Sequence, residues 1–313
     1  MMARVAACKL VDMRSFLISF ALAAAALSLA PVADAAPPHR VIGNIYYVGE
    51  DDLASFLIVT PKGNILINTG YEFSVPVIRA GAKSLGFRFD DIKILLVTHA
   101  HSDHAGGLAK VRKLTGAKMW AIEQEAELLS TGGKTDYLFG SAGWFEPVKV
   151  DHIFKDGEKI ELGGTVITPH LTPGHTKGST SYSIDITENG KLYHVLIANM
   201  PNMNDGVNFI DDVKYPNIVA DYTRAFEVLE SLPCDVFLSS HTGAYHLAEK
   251  YHRGMPYSPE TFVDPDGYRD AVARAKQRFF AEVKEQQDEE KFNHDRLNFK
   301  DLKEQGSAAA PPQ

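Results

Sequence analysis

The sequence predicts an α/β fold built from layers of sheet and helix. Strand-like apolar segments come first, segments with helical spacing are interspersed among the later strands, and no repeat of short period occurs. Elements in such an order pack as layered sheets and helices rather than as a helical bundle or a barrel. The 313 residues and the 45% hydrophobic content allow one large globular domain or two small ones.

The N-terminus has the pattern of a secretory signal peptide rather than of a folded segment. Lys9 and Arg14 precede an apolar segment from Phe16 through Leu29, and Ala33-Asp34-Ala35 supplies a small-x-small cleavage pattern. A transmembrane anchor is disfavoured because the apolar run is short for a bilayer and no stop-transfer charges follow it. We therefore expect cleavage before Ala36, a periplasmic location and no membrane association of the mature chain.

Periodicity predicts the elements of the first half of the chain. Alternating or continuously apolar segments predict strands at Val41–Val48, Ala54–Thr60, Ile65–Asn68, Ile92–Val97 and Lys118–Ile122. Apolar residues at helical spacing predict helices at Val75–Leu85, Ala105–Leu114 and Glu123–Leu129. The strand Ile92–Val97 is apolar on both faces, which is typical of a central strand in a covered sheet.

The second half continues the alternation of strands and helices. Strands are predicted at Lys159–Leu162, Thr165–Leu171, Thr180–Ile186, Leu192–Ala198 and Cys234–Leu238. A helix is predicted at Ile218–Leu232, and a later one has an apolar face formed by Tyr268, Val272, Ala275, Phe279 and Val283. Beyond Gln286 the chain is charged and is expected to fray. The predicted organisation is a signal peptide at 1–35, one domain at 36–290 and a polar tail at 291–313.

The segment Thr131–Lys149 interrupts this rhythm. It contains several glycines, and its aromatic residues, Trp144 among them, follow no period. Such a segment is either a flap over a functional site or a surface loop that packs on itself. As a hypothesis we take the flap, in which Trp144 contacts a bound molecule.

A cluster of histidines directly follows the strand Ile92–Val97. His99, His101, Asp103 and His104 lie in the turn before a predicted helix. In extended backbone, residues two apart point the same way, so His99 and His101 can bind one metal. His104 does not share this two-residue spacing, so its side chain points elsewhere and can bind a second metal together with Asp103. A turn that is merely polar is disfavoured, because the chain has only 12 histidines and three fall within six residues.

Two further histidines occur in a similar local context. His175 and His241 each follow a predicted apolar strand, and each is followed closely by small residues. A single histidine in a Pro-Gly turn is usually only a turn residue, but the cluster favours a ligand role here. The two expected ligand sets are His99, His101 and His175, and Asp103, His104 and His241. Three protein ligands per metal, with no cysteine among them, are typical of open, catalytic zinc sites.

Net charge and cysteine content disfavour nucleic-acid binding and an internal disulfide. The net charge of −8 makes nucleic acid an unfavourable partner. Cys8 lies in the predicted signal peptide, which leaves Cys234 alone in the mature chain and predicts that it forms no internal disulfide.

These residues resemble the metallo-β-lactamase superfamily, and within it class B enzymes of subclass B3. The resemblance extends from about Arg40 to Gln286. It rests on Thr98–Gly107, Thr172–Thr176, Ile197–Met200, Pro233–Leu238, Ser240-His241 and Phe262–Tyr268. It implies an αβ/βα four-layer sandwich with a dinuclear zinc site at one edge. It also implies zinc-dependent hydrolysis of the β-lactam amide bond and resistance to β-lactam antibiotics.

The chain departs from this family pattern in the loop after Ala198. Lactonases and glyoxalase II-like thioesterases of the superfamily bridge both metals with an aspartate there, and Met200 matches that position. A thioether is a poor partner for such a site, which disfavours these activities as the alternative function. Some subclass members use serines of this loop to hold the substrate carboxylate. Met200 and Asn202 stand there instead, and Asn202 can still donate a hydrogen bond.

The expected mechanism needs no serine nucleophile. A hydroxide generated by the two zinc ions attacks the lactam carbonyl, and Asp103 orients that hydroxide. The expected partner is a small β-lactam substrate, with neither nucleic acid nor membrane involved, and the mature protein is expected to be a monomer. A non-catalytic zinc-binding secreted protein is a third hypothesis, which the open three-ligand sites disfavour.

Overall fold

Two β-sheets form the centre of the protein in the computed structural model, which describes residues 37–307 and side chains as far as residue 294. The predicted signal peptide at 1–35 lies outside the described residues. None of the described helices combines the length and the hydropathy that a membrane span requires.

The first sheet has seven strands whose spatial order follows the chain. They are β1 (His39–Ile42), β2 (Ile45–Tyr47), β3 (Phe56–Ile58), β4 (Asn64–Ile67), β5 (Ile92–Leu96), β6 (Lys118–Ile122) and β7 (His152–Phe154). The strands β1 to β4 pair antiparallel, whereas β4 to β7 pair parallel. The parallel half therefore has the carboxyl ends of its strands at one edge of the sheet.

The second sheet has five strands in the order β12-β11-β10-β9-β8. They are β8 (Ile160–Leu162), β9 (Thr165–Leu171), β10 (Thr180–Glu188), β11 (Lys191–Ala198) and β12 (Val236–Ser239). A hairpin joins β10 and β11, and both turn residues, Asn189 and Gly190, have positive φ. Asn-Gly is the preferred pair for such a two-residue turn.

Helices cover the outer faces of both sheets. They are α1 (Val75–Ser84), α2 (Ser102–Ala105), α3 (Leu108–Thr115), α4 (Glu123–Thr131), α5 (Ile218–Ser231), α6 (Leu247–Lys250) and α7 (Pro265–Ser307). The predicted helices and most predicted strands are confirmed to within a few residues at their ends.

The side chains of β4 show how the layers are built. Ile65 and Ile67 point into the core between the two sheets, while Leu66 points into the core beneath α1, with Val75 and Ile78. This alternation is the period of a strand buried on both faces. On the far side of the second sheet, residues of α5 and α7 such as Phe226 and Phe279 complete the core. The predicted αβ/βα four-layer sandwich is confirmed.

Two predicted elements are divided by glycines. The predicted strand Val41–Val48 is the hairpin β1–β2, because Gly43 has a φ of +53° and turns the chain. A Cβ on Gly43 would lie 2.5 Å from Cγ2 of Ile186. The predicted helix Ala105–Leu114 is α2 and α3, separated at Gly106 and Gly107. A Cβ on Gly107 would lie 2.7 Å from the carbonyl oxygen of Thr69, so the backbones approach too closely for a side chain.

The prediction of a frayed tail beyond Gln286 is wrong for most of that segment. The helix α7 continues to Ser307, and residues 291–307 of the predicted tail belong to it. Its sequence contains no proline after Pro265, and charged pairs at helical spacing such as Lys284–Asp288, 2.5 Å apart, favour continuation. The strand β7 and the helix α6 are short and were not predicted. Cys234 is a buried free thiol, as expected, and burial raises its pKa to about 12.

His39 makes stability sensitive to acid. Its ring stacks on that of Tyr251 at a centroid distance of 3.8 Å, and its Nδ1 donates to the carbonyl of Pro37 over 2.7 Å. Burial lowers the pKa of His39 from 6.5 to about 4. Because the folded pKa is depressed, this stabilising contribution is full above pH 6.5 and is lost as the pH falls toward 4.

We therefore expect His39→Gln to reduce the acid-dependent loss of stability. Between pH 7 and pH 4.5 the free energy of unfolding of the wild type should fall by about 2–3 kcal/mol more than that of the variant. Urea unfolding of metal-free protein at both pH values measures this difference. The matched control is His152→Gln on β7, where the side chain is 43% exposed. Parallel losses in wild type and His39→Gln would contradict the assignment.

Candidate metal centre

Three loops meet at one edge of the two sheets. Loop 1 (residues 97–104) follows β5, loop 2 (172–179) joins β9 to β10, and loop 3 (240–242) follows β12. They line a cavity of about 600 Å³. Ligand sites of layered α/β proteins commonly form where strands end in this way. All six predicted metal ligands lie on these loops.

The first ligand set comes together across loops 1 and 2. The Nδ1 of His101 lies 3.1 Å from the Nε2 of His175. One ring nitrogen from each of His99, His101 and His175 lies within 4.8 Å of the others. All three histidines are at most 9% exposed.

Hydrogen bonds from the opposite ring nitrogens assign the tautomers of this set. The Nδ1 of His175 donates to the carbonyl of Asn202 over 2.7 Å, and the Nε2 of His101 donates to Oδ2 of Asp136 over 3.2 Å. The Nδ1 of His99 donates to Oδ1 of Asn199 over 2.9 Å. In these tautomers each ring presents its unprotonated nitrogen to the cavity, which is the form that binds a metal.

The facing nitrogens of His101 and His175 test whether a cation fits. With the ring protons on the opposite nitrogens, both facing atoms carry a lone pair, and they are 3.1 Å apart. Burial lowers the pKa of His175 to about 3 and that of His99 well below its usual value, which keeps these rings neutral. Lone pairs this close repel each other unless a cation lies between them. The donor set therefore fits a divalent metal.

The second ligand set joins loops 1 and 3. The Nε2 of His104 lies 3.1 Å from Oδ2 of Asp103 and 3.2 Å from the Nε2 of His241. The Nε2 of His241 is also 3.5 Å from Oδ2 of Asp103, and its Nδ1 donates to Asp52 over 3.3 Å. His99, Asp103 and His104 also lie within 4.8 Å of one another, so the two sets are adjacent.

The charge state of Asp103 follows from its neighbours. Burial alone would favour the neutral acid, but the hydrogen bond from His104 and the nearby imidazoles outweigh it and lower the pKa of Asp103. Burial also lowers the pKa of His104. An ionised carboxylate among neutral imidazoles is a mixed N/O ligand set that suits zinc and similar divalent ions.

The residues that orient these side chains have no local signal in the sequence. Asp136 accepts a hydrogen bond from His101, Asn199 accepts one from His99, and Asp52 accepts one from His241. They lie far from one another in the sequence, and each is a single polar residue in an unpatterned segment. Asp136 lies in the loop Thr131–Lys149 and Asn199 in the segment Ile197–Met200, but nothing in either segment predicts that these residues orient a histidine. Such outer residues fix ring orientation and raise ligand basicity.

Of the three predicted substrate-binding residues, two line the cavity and one does not. Met200 and Asn202 line the cavity. Asn202 also acts through its backbone, because its carbonyl accepts the hydrogen bond from His175. Trp144 is 52% exposed and is not among the lining residues, so its contact with a bound molecule stays a prediction. The parts of the loop Thr131–Lys149 that line the cavity are Phe139, Ala142 and Gly143.

Comparison with solved structures gives the family. The native FEZ-1 metallo-β-lactamase from Legionella gormanii is 44% identical, with a TM-score of 0.77 over 80% of this chain and 97% of that one. The chain belongs to the metallo-β-lactamase family. The class B3 di-zinc metallo-β-lactamase LRA-12 from an Alaskan soil metagenome is 38% identical, with a TM-score of 0.77 over 79% of this chain and 94% of that one. Members of this family are hydrolases.

Sequence comparison supports membership of the family and widens the range of activities. Residues 48–186 match the model of the metallo-β-lactamase superfamily. A hydroxyacylglutathione hydrolase from Pseudomonas aeruginosa is 34% identical over 96 residues, which cover 31% of this chain and 28% of that protein. The chain spans less than half the length of several curated relatives that it matches.

Proposed function

We propose that the protein hydrolyses the amide bond of β-lactams, using two zinc ions. The first would be held by His99, His101 and His175, and the second by Asp103, His104 and His241. The observation that carries this proposal is the pair of adjacent, open ligand sets at the sheet edge. The likeness to a class B3 structure over 79% of this chain and 94% of that one supports the same substrate class.

Zinc in such a site supplies a Lewis acid and lowers the pKa of water toward neutrality. The protein's own residues prepare the site for this chemistry. Asp136, Asn199 and the carbonyl of Asn202 keep the proton of each ring on the side away from the cavity. Loop 1 places the ionised Asp103 carboxylate beside the cavity, where it can accept a hydrogen bond from the attacking water and aim it at a carbonyl carbon.

The cavity walls are consistent with a small bicyclic substrate. Its volume of about 600 Å³ lies within the usual range of small-molecule sites. Met200 and Phe139 provide apolar surface, and the side-chain amide of Asn202 is available to donate to a substrate carboxylate. No acid side chain other than Asp103 and Asp52 lines the cavity among the described residues, so a strained amide that opens without a strong acid suits it best.

The second candidate function is hydrolysis of a lactone or thioester. The likeness to hydroxyacylglutathione hydrolase favours it. Met200 weighs against it, because the resemblance places a metal-bridging aspartate at this position in such hydrolases and a thioether replaces it poorly.

The proposal includes a cellular setting. The pattern of residues 1–35 supports export to the periplasm, where β-lactams would be met and hydrolysis would confer resistance. We propose that the mature protein acts as a monomer, because all six ligands come from one chain.

A substrate panel tests the proposal. We expect zinc-loaded protein to hydrolyse a penicillin, a cephalosporin or a carbapenem with a kcat/KM at least about 100-fold above that for a lactone or an acylglutathione thioester. Ring opening is followed by loss of ultraviolet absorbance, and thioester cleavage by thiol release. Ready cleavage of the thioester or lactone with every β-lactam intact would overturn the proposal in favour of the second candidate.

A further inference from the structure

Glu125 on α4 is a buried carboxylate beside the metal centre. It is 2% exposed, and it belongs to neither group of side chains that could hold a metal. Burying a carboxylate is costly unless hydrogen bonds replace its hydration. The hydrogen-bond partners of Glu125 therefore indicate its role in the structure.

Each oxygen of Glu125 accepts a backbone hydrogen bond from a different loop. Oε1 accepts from the N–H of Ala100 in loop 1 over 2.5 Å, and Oε2 accepts from the N–H of Gly178 in loop 2 over 3.0 Å. The hydroxyl of Thr176 lies 2.9 and 3.0 Å from the two oxygens. Ala100 stands between His99 and His101, and Thr176 directly follows His175. One side chain therefore connects the two loops that carry the first ligand set.

The contact leaves no spare room. A Cβ on Gly178 would lie 2.5 Å from Oε2 of Glu125 and 2.6 Å from its Cβ, so only glycine lets loop 2 come this close. The loops also meet directly where the N–H of Thr180 donates to the carbonyl of Thr98 over 2.7 Å. That bond lies where the strands end, whereas Glu125 holds the segments that bear the ligands.

We propose that Glu125 is a positioning residue that sets the separation of loops 1 and 2, and thereby the metal affinity of His99, His101 and His175. The second ligand set depends on it less, because that set joins loop 1 to loop 3, which Glu125 does not contact. The inference rests on the metal centre of the proposed function but not on its substrate.

Glu125→Gln tests this assignment. Each carboxylate oxygen accepts a backbone N–H, so the amide group of glutamine must face an N–H on one loop or the other, whichever way it lies. We expect one of two zinc equivalents to bind about 10- to 100-fold more weakly and the other to change less than about threefold. Competition with a chromophoric zinc chelator measures both affinities. The matched control is Glu127→Gln, the same chemical change at an exposed position of the same helix.

Gly178→Ala perturbs the same contact from the other side and leaves the carboxylate intact, in case Glu125→Gln does not fold. It should give the same selective loss of one equivalent together with a lower metal-free Tm, because the new Cβ would also lie 2.4 Å from the backbone nitrogen of Glu125. Unchanged affinities in the folded variants would overturn the proposal. So would equal weakening of both equivalents in step with a lower metal-free Tm, since that is the result of a general structural role.

The proposed function fails separately. A wild type that binds two zinc ions yet cleaves no β-lactam overturns only the substrate assignment. A wild type that binds no zinc overturns the metal centre and this inference together.

Discussion

Removal of bound metal should lower β-lactam hydrolysis by at least about four orders of magnitude, because the ordinary side chains of the cavity include no group that could replace the metal as activator of water. Among the described residues that line the cavity, the hydroxyls are those of Tyr71, Ser102 and Ser240, and the structure shows no hydrogen bond between any of them and a histidine base. The imidazoles of His99, His101 and His175 act as acceptors toward the cavity and cannot by themselves generate an oxyanion site. Activity should therefore follow metal content rather than protein concentration.

The measurement is kcat/KM on a chromogenic cephalosporin before chelation, after dialysis against a chelator, and after zinc is returned. Far-ultraviolet circular dichroism on the metal-free sample controls for unfolding. An inhibitor that acylates active-site serines is a second control and should leave the rate unchanged. Folded, metal-free protein that retains the original rate would contradict the metal assignment.

The convergence of the six predicted ligands in the fold could be predicted from the sequence because their signals are local. His99, His101, Asp103 and His104 fall within six residues after a strand that is apolar on both faces, and a strand end fixes where they point. His175 and His241 follow strands in the same manner. Since strands end at a common edge of a layered fold, placing each histidine after a strand is enough to predict that they converge.

The residues that orient the ligands were not recoverable, for a physical reason. Asp52, Asp136 and Asn199 act through single hydrogen bonds across long sequence separations, and any polar residue in a loop gives the same sequence signal. The contact of Glu125 with loops 1 and 2 could not be predicted either, because in the sequence Glu125 is one more acidic residue of an amphipathic helix. The break at Gly43 depends on its positive φ, and the break at Gly106–Gly107 depends on a close approach of backbones; hydrophobic periodicity reports neither.

Replacement of Asp103 by asparagine should lower kcat for β-lactams by about 10²- to 10⁴-fold, the range expected when a positioned acid–base group is lost. The amide keeps the size of the carboxylate but loses its charge, and its nitrogen is a poor metal ligand. In the structure Oδ2 of Asp103 is the oxygen nearest to both His104 and His241. The variant should therefore also lose about one zinc equivalent, the one bound by the second ligand set.

Asp52→Asn is the matched control, because it makes the same chemical change in a second cavity carboxylate, one whose hydrogen bond to the ligand sets goes to the outer nitrogen of His241. Orienting residues of this kind typically alter metal affinity or activity by about 10- to 100-fold, and the 73% exposure of the Asp52 side chain places it at the low end. Metal analysis of dialysed protein and steady-state kinetics at saturating zinc separate the two effects. If excess zinc restores two equivalents to Asp103→Asn but not its kcat, the carboxylate acts on the attacking water as well as on the metal. A wild-type kcat in that variant would remove Asp103 from the mechanism and leave it only as a ligand.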